Sequence, residues 1–243
     1  MWNKIIGLYH ANMGKILHAS INKPIRLKNY NYEVVNMKKL RETITVNGET
    51  FIVTPEATAI RNGHATSSDL FANALGNGKG FDYGLGTGRN IEYIFKEYGK
   101  IIDGCDIPEQ LARQNYSNIV ANGSKIGLSN NFDSSSYDSV LCSFVLNVIH
   151  DDKIKQSVMN DIARLLKKGG TLFLEVRTKN DVKSSSTKKE YEDGFIIPKG
   201  KKNATYQEIV AHEKIVELAK NAGLKITSTK NNASKHLLVL EKN

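Results

Sequence analysis

Cysteine, proline and long apolar runs are all scarce in this chain of 243 residues. The two cysteines, Cys105 and Cys142, each sit inside an apolar run, and no Cys-x-x-Cys or paired Cys/His spacing exists. A disulfide framework is thereby excluded and a zinc site has no support; buried, reduced thiols in a reducing, cytoplasmic compartment are expected. No stretch approaches the ~20 consecutive apolar residues of a membrane-spanning helix, and the first residues lack the continuous apolar segment of a secretory signal. Acids are scarce early in the chain. Residues 1–41 hold one, Glu33, against eight Lys/Arg, so they supply +7 of the net +9. A basic balance favours nucleic acid or other polyanions, but here it belongs to an N-terminal arm, while the rest of the chain is nearly neutral.

What is present is ordinary for a globular protein: 40% hydrophobic and 24% charged residues, enough for a full core. The length suits one α/β domain with additions. In residues 1–36, Trp2, Ile5, Ile6, Tyr9, Met13, Ile16 and Leu17 recur at helical spacing. Three readings stand: a helical arm packed on the domain, a surface helix for membrane or nucleic acid, or an untranslated stretch with Met37 as the true start. The last would remove five basic residues and one acid and leave a net charge of +5. Residues 42–65 read as a hairpin and linker, with Thr43, Thr45 and Val46 before Asn47-Gly48 and Phe51, Ile52 and Val53 after it. Asn-Gly is the strongest short hairpin signal, because a type I′ turn needs positive φ at both positions.

Residues 66–243 form the main domain. Ser67 or Ser68 is expected to cap a short helix through Leu75. Strand-like runs follow at 80–83, 101–105, 139–144, 171–176, 224–227 and 237–240, with helical stretches near 89–98, 108–121, 152–167 and 206–222. Gly169-Gly170 breaks the chain before the fifth-strand run. Strands alternating with helices predict an α/β fold, a parallel sheet covered on both faces. Residues 178–204, with the run Lys183-Ser184-Ser185-Ser186-Thr187-Lys188-Lys189, are expected to be a mobile insertion.

The most informative run is Phe81-Asp82-Tyr83-Gly84-Leu85-Gly86-Thr87-Gly88-Arg89-Asn90. A strand enters, three alternate glycines turn the chain, and a helix leaves with its free N–H groups and partial positive charge. A dinucleotide fold wants G-x-G-x-x-G; the spacing here is G-x-G-x-G, with less room for a pyrophosphate. Asp82 at the strand end suits a ligand carrying an ammonium group. The next strand ends at Asp106, roughly 20 residues beyond the glycine loop, where a nucleotide-binding α/β fold places a carboxylate on ribose hydroxyls. Asp106 could instead cap the helix beginning near Pro108.

Asp82-Tyr83-Gly84-Leu85-Gly86-Thr87-Gly88 resembles motif I of class I, Rossmann-like S-adenosylmethionine (SAM)-dependent methyltransferases. Cys105-Asp106-Ile107-Pro108 with Leu111 resembles that family's acidic second motif. Tyr137-Asp138-Ser139-Val140-Leu141-Cys142-Ser143 is similar to its fourth strand, and Leu165-Leu166-Lys167-Lys168-Gly169-Gly170-Thr171-Leu172 to its fifth. The resemblance implies a mostly parallel sheet of about seven strands with helices on both faces, preceded by the arm and hairpin, and it implies SAM and its product S-adenosylhomocysteine (SAH) as ligands. Carried over by residue, Gly84, Gly86 and Gly88 approach SAM with their backbone, Asp82 lies near its amino end, Asp106 holds the ribose, and Ser143 and Phe144 flank the methyl donor. Where the family often has an acid near the adenine amine, this chain reads Ser129-Asn130-Asn131-Phe132, which leaves Asn131 as the candidate.

A narrower similarity, to methyltransferases of phage and of bacterial DNA-modification loci, rests on Thr58-Ala59-Ile60-Arg61, the Asp82-Tyr83-Gly84 opening, Val145-Leu146-Asn147-Val148-Ile149, Val176-Arg177 and Asp193-Gly194 leading to Thr205-Tyr206-Gln207. Proline again restricts the choices. None of the four, Pro24, Pro55, Pro108 and Pro198, lies near Cys142 or Ser143. The Pro-Pro-aromatic run of amino-methylating DNA enzymes and the Pro-Cys of cytosine-C5 enzymes, whose thiolate is the nucleophile, are both missing. His150 is a candidate general base; its neighbours Asp151 and Asp152 fit a helix cap. Arg177 and Lys179 fall at the rim of the implied cleft. The acceptor is left undetermined, with a nucleic acid or its bases the favoured class and a small-molecule methyltransferase or a non-catalytic SAM-binding protein as the alternatives.

Overall fold

The computed structural model describes residues 41–55, 63–178, 187–231 and 235–243. The basic arm up to residue 40, the Thr58–Arg61 segment, and Lys179 with Lys183–Ser186 lie outside the described residues. In chain order the elements are β1 (Glu42–Val46), β2 (Glu49–Val53), α1 (Ser67–Leu75), β3 (Gly80–Tyr83), α2 (Arg89–Tyr98), β4 (Ile102–Cys105), α3 (Pro108–Arg113), α4 (Ser117–Ala121), β5 (Ile126–Gly127), β6 (Tyr137–Ser143), α5 (Asp152–Leu165), β7 (Leu166–Arg177), β8 (Lys189–Tyr191), β9 (Gly194–Pro198), β10 (Asn203–Glu208), α6 (His212–Asn221), β11 (Leu224–Asn231) and β12 (Lys235–Lys242). Short 3₁₀ turns at Ser129–Asn131 and Leu146–Val148 lie between them.

The central sheet has seven strands in the order β11-β12-β7-β6-β3-β4-β5. Pairings of β3 with β4 and β6, of β4 with β5, and of β6 with β7 are parallel, and β12 runs antiparallel to both its neighbours. The strands are buried on both sides because the pleat sends alternate residues to opposite faces. Leu141 and Phe173 meet Phe71, Ala72 and Leu75 of α1 and Ile91 and Ile94 of α2. Val140, Cys142, Leu172 and Leu174 meet Val158, Met159 and Ile162 of α5 and Ile215, Leu218 and Ala219 of α6. Both cysteines are free and buried, and burial pushes each thiol well above its usual range.

A second sheet has the order β1-β2-β10-β9-β8. The Asn47-Gly48 hairpin supplies β1 and β2, and φ is positive at both turn residues. β10 joins β2 in parallel over the register Asn203↔Ile52 and Ala204↔Val53, then pairs antiparallel with β9. Ile44, Val46, Phe51, Val53, Ile196, Ala204 and Tyr206 fill its own small core.

Four expectations are corrected. Residues 189–208 are strands of this second sheet, where a mobile insertion and the start of a helix were expected; the helix begins only at His212. The helical stretch 108–121 is two helices, because Asn115 Oδ1 accepts from the N–H and hydroxyl of Ser117 (3.0 and 2.6 Å) and restarts the helix there. Neither Ser67 nor Ser68 caps α1, whose N-cap is Thr66; the Ser67 hydroxyl instead donates to Glu175 Oε2 (2.6 Å). Asp106 is not the N-cap of α3, a place taken by Ile107, with Pro108 in the first turn. The cap expected from Asp151 or Asp152 falls to Asp151, whose Oδ1 accepts from the Lys153 N–H at 2.7 Å.

Candidate active site

The glycine loop leaves the C-terminal end of β3, the middle one of the five parallel strands, and enters α2. Gly84, Gly86 and Gly88 have φ of +75°, +59° and +83°, a region closed to most side chains. Their surroundings differ. A Cβ on Gly84 would lie 2.4 Å from Val145 Cγ2, and one on Gly88 2.0 Å from Ile119 Cδ1. A Cβ on Gly86 would meet nothing within 4 Å. The outer glycines are thus fixed by packing, and the middle one borders open space.

Asp82 is fully buried at the end of β3. Its Oδ1 accepts a long hydrogen bond from Asn90 Nδ2 (3.4 Å), and its Oδ2 has no partner among the described residues. Burial pushes its carboxyl up to about 7, opposed by the Asn90 bond and assisted by the charge of Asp106. Asp106, just past β4, accepts from the Gly86 N–H through Oδ2 (2.7 Å) and from the Ile107 N–H through Oδ1 (2.8 Å). Burial raises it to about 6 against those two bonds. The peptide on the other side of Gly86 is held as well, since the Tyr116 hydroxyl donates to the Gly86 carbonyl at 2.5 Å. Asn131 is exposed on the 3₁₀ turn beside Gly127, whose carbonyl accepts from the Asp106 N–H (3.3 Å). Asp82, the glycines, Asp106 and Asn131 therefore share the C-terminal end of the parallel strands, where open α/β sheets take their ligands.

Ser143 ends β6, and its hydroxyl pairs with that of Ser67 at 3.1 Å. Phe144 follows with φ +62°, a strained value for an aromatic residue. Its N–H donates to the Glu175 carbonyl (2.7 Å), and the Arg177 guanidinium lies 5.4 Å from its ring centre. The 3₁₀ turn that comes next docks on the second sheet. Asn147 Nδ2 donates to the Glu208 carbonyl (2.6 Å), and Asn147 Oδ1 accepts from the Arg177 N–H (3.0 Å). His150 is engaged at both ring nitrogens, Nδ1 with Glu42 of β1 (3.2 Å) and Nε2 with Glu192 of the β8–β9 turn (2.6 Å). Burial pulls its pKa down, but the two carboxylates together outweigh burial and raise it. His150 thus joins the two sheets, and the structure puts it with Val53, Val148 and Tyr206 around a small pocket.

Residues 81–174 match a family described as a methyltransferase domain. That segment carries a methyltransferase domain. No curated protein matches the sequence. Among solved structures, the PH0226 protein of Pyrococcus horikoshii superposes with a TM-score of 0.60 at 17% identity, over 73% of this chain and 88% of that one. A SAM-dependent methyltransferase of Clostridium acetobutylicum gives 0.56 at 15% identity, over 72% and 90%. The 1,6-didemethyltoxoflavin-N1-methyltransferase of Burkholderia thailandensis, solved with 1,6-didemethyltoxoflavin and S-adenosylhomocysteine, gives 0.53 at 16% identity, over 73% and 76%. These likenesses establish the Rossmann-like fold.

Several residues around this candidate site carry no motif signal. Asn90 was visible only as the residue after the glycine loop, yet its Oδ1 accepts from the Ala65 N–H (2.8 Å) and the Ser68 hydroxyl (3.3 Å). Glu175 resembles an ordinary strand residue, yet it is 1% exposed and joins β7 to Ser67. Lys155 and Glu208, 53 positions apart, form a buried ion pair between α5 and β10. Only the fold brings such pairs together.

Proposed function

We propose that this methyltransferase transfers the methyl group to a small-molecule acceptor held beneath the second sheet. The observation that carries the reading is the docking of β10 on the Leu146–Val148 turn, immediately after Ser143 and Phe144. That contact sets the second sheet beside the end of β6. Residues 42–243 are close to charge balance, as suits an uncharged or weakly charged acceptor.

The residues present fit the methyl donor. The buried, unpartnered Oδ2 of Asp82 suits an ammonium group, and the open space beside Gly86 suits a ligand lying against backbone. On this reading Gly84, Gly86 and Gly88 shape the loop, Asp82 faces the amino end, Asp106 takes the ribose hydroxyls, Asn131 lies toward the adenine, and Ser143 and Phe144 flank the methyl. The sulfonium supplies an already activated methyl group, so the protein's contribution is chiefly alignment, which can account for ~7–11 kcal/mol of the barrier. The strained Phe144 fixes one wall of the transfer path. His150 holds the second sheet through its two carboxylates, and a nucleophilic acceptor needs no strong base.

The test has two stages. Calorimetric titration with S-adenosylhomocysteine should show binding that weakens sharply in Asp106→Ala, with none to NAD. Labelled methyl transfer should then be screened on small-molecule amines and phenols beside DNA and RNA. Label on small molecules alone supports the proposal, and label on polynucleotide alone overturns it in favour of the basic arm as a nucleic-acid grip.

A further inference from the structure

The break between α3 and α4 has a consequence at the glycine loop. A continuous helix over 108–121 would carry its side chains past the loop without regard to it. The turn held by Asn115 interrupts the helix, and the chain bends at Tyr116, the N-cap of α4, whose φ and ψ are −101° and 15°. From that corner two side chains reach back to the loop. Ile119 packs against Gly88, close enough to exclude a Cβ there. The Tyr116 hydroxyl donates to the Gly86 carbonyl at 2.5 Å. The same Gly86 donates its N–H to Asp106 Oδ2 at 2.7 Å. The peptides on either side of Gly86 are thus pinned from both directions, by a phenol on one element and a carboxylate on another. Gly86 is also the one loop glycine whose Cα faces open space. Burial, with the charges of Asp106 and Asp82, pushes the Tyr116 phenol above its usual range, so it stays a hydrogen-bond donor at working pH.

We propose that Tyr116 is a positioning residue for the adenosyl ligand, fixing the Gly86 peptide so that Asp106 and the open face of the loop are preorganised before the ligand arrives. This rests on the reading of the glycine loop as the SAM site. A loop held by only one of its two bonds samples other peptide orientations, and part of the binding free energy is then spent on ordering it. Loss of one neutral hydrogen bond of this kind corresponds to about a fivefold to tenfold loss of affinity.

The experiment compares wild type, Tyr116→Phe and Tyr137→Phe as full chains. Tyr137 provides the control, because its hydroxyl also donates a hydrogen bond, to Asp103 Oδ2 at 2.9 Å, but from the start of β6, at the opposite end of the sheet. Two readouts are taken: S-adenosylhomocysteine affinity by calorimetry, and hydrogen exchange of the 84–88 amides in the ligand-free protein. The expected result is a fivefold to tenfold weaker ligand in Tyr116→Phe with faster exchange in the loop. Tyr137→Phe should keep wild-type affinity and loop exchange even if its melting temperature falls. Equal affinity and exchange in wild type and Tyr116→Phe would overturn the proposal. Loss of affinity in both variants alike would overturn it too, by showing a general stability effect. Absence of binding by the wild type itself would remove the SAM-site reading beneath it, an outcome distinct from either.

Discussion

At the scale of single residues, the three loop glycines are not equivalent. An alanine at Gly84 meets Val145, a stiff β-branched neighbour, at 2.4 Å, and overpacking of this kind destabilises by about 1–3 kcal/mol. An alanine at Gly86 meets only the backbone penalty of φ +59°, about 1–2 kcal/mol, while its methyl enters the ligand's space. Gly84→Ala should therefore lower the melting temperature more than Gly86→Ala, and Gly86→Ala should lose at least tenfold in S-adenosylhomocysteine affinity while staying folded. Asp82 gives a second prediction. Its carboxyl is raised to about 7 in the free protein, and an approaching ammonium favours the ionised form. Affinity should rise with pH up to about 7 and level off above it, and Asp82→Asn should flatten the profile. The stability sign is opposite. Between about pH 4 and pH 7 the unfolded Asp82 has lost its proton while the folded one keeps it, so the ligand-free protein loses stability as pH rises through that window. Thermal melts at pH 5 and pH 8, with and without ligand, check both signs. These glycines and the two acids were legible in the sequence because their spacing is local. Asn90, Glu175 and Tyr116 were not, because each works through a partner on a distant segment.

At the scale of elements, two devices fasten the second sheet to the first. Lys155, with its side chain 0% exposed, reaches from α5 to Glu208 of β10, which is 2% exposed and also takes Lys214 Nζ at 3.1 Å. Lys155 Nζ donates further to Asp152 Oδ1 (2.7 Å) and the His150 carbonyl (3.2 Å). Removing one partner of a buried pair leaves the other uncompensated, at about 3–5 kcal/mol. Lys155→Met should therefore destabilise by about 3 kcal/mol in denaturant melts, with part of the loss recovered in Lys155→Met/Glu208→Leu. The His150 bridge is weaker and titrates. Its raised pKa means that the bond to Glu42 and Glu192 contributes fully at low pH and fades as pH rises through the folded value. Exchange protection of β1 and of the β8–β9 turn should fall across that range in wild type and be pH-independent in His150→Gln. The central strands were readable because a strand buried on both faces is a plain apolar run. β10 was not, since Thr205 and Gln207, on the face opposite Ala204 and Tyr206, are polar yet 2% and 4% exposed. Nor could local pattern show that β10 would pair with Ile52 and Val53, some 150 residues earlier.

At the scale of the whole molecule, charge and architecture point in different directions, and salt separates them. Residues 1–41 hold eight basic residues against one acid, whereas the remainder of the +9 is spread over some 200 positions. The C-terminal end of the parallel sheet belongs to that remainder. If methyl transfer uses an acceptor beneath the second sheet, the arm takes no part in recognition, and turnover by the full chain on a small molecule should change less than about twofold between roughly 50 and 300 mM salt. A polynucleotide acceptor gripped by the arm would behave otherwise. Each phosphate contact releases a counterion, and about six contacts would weaken binding by about 10³ or more from 50 to 200 mM salt. Rates measured at subsaturating acceptor across that salt series discriminate whichever atom of the acceptor takes the methyl: a flat profile keeps the acceptor beneath the second sheet, and a steep one moves it onto the basic arm.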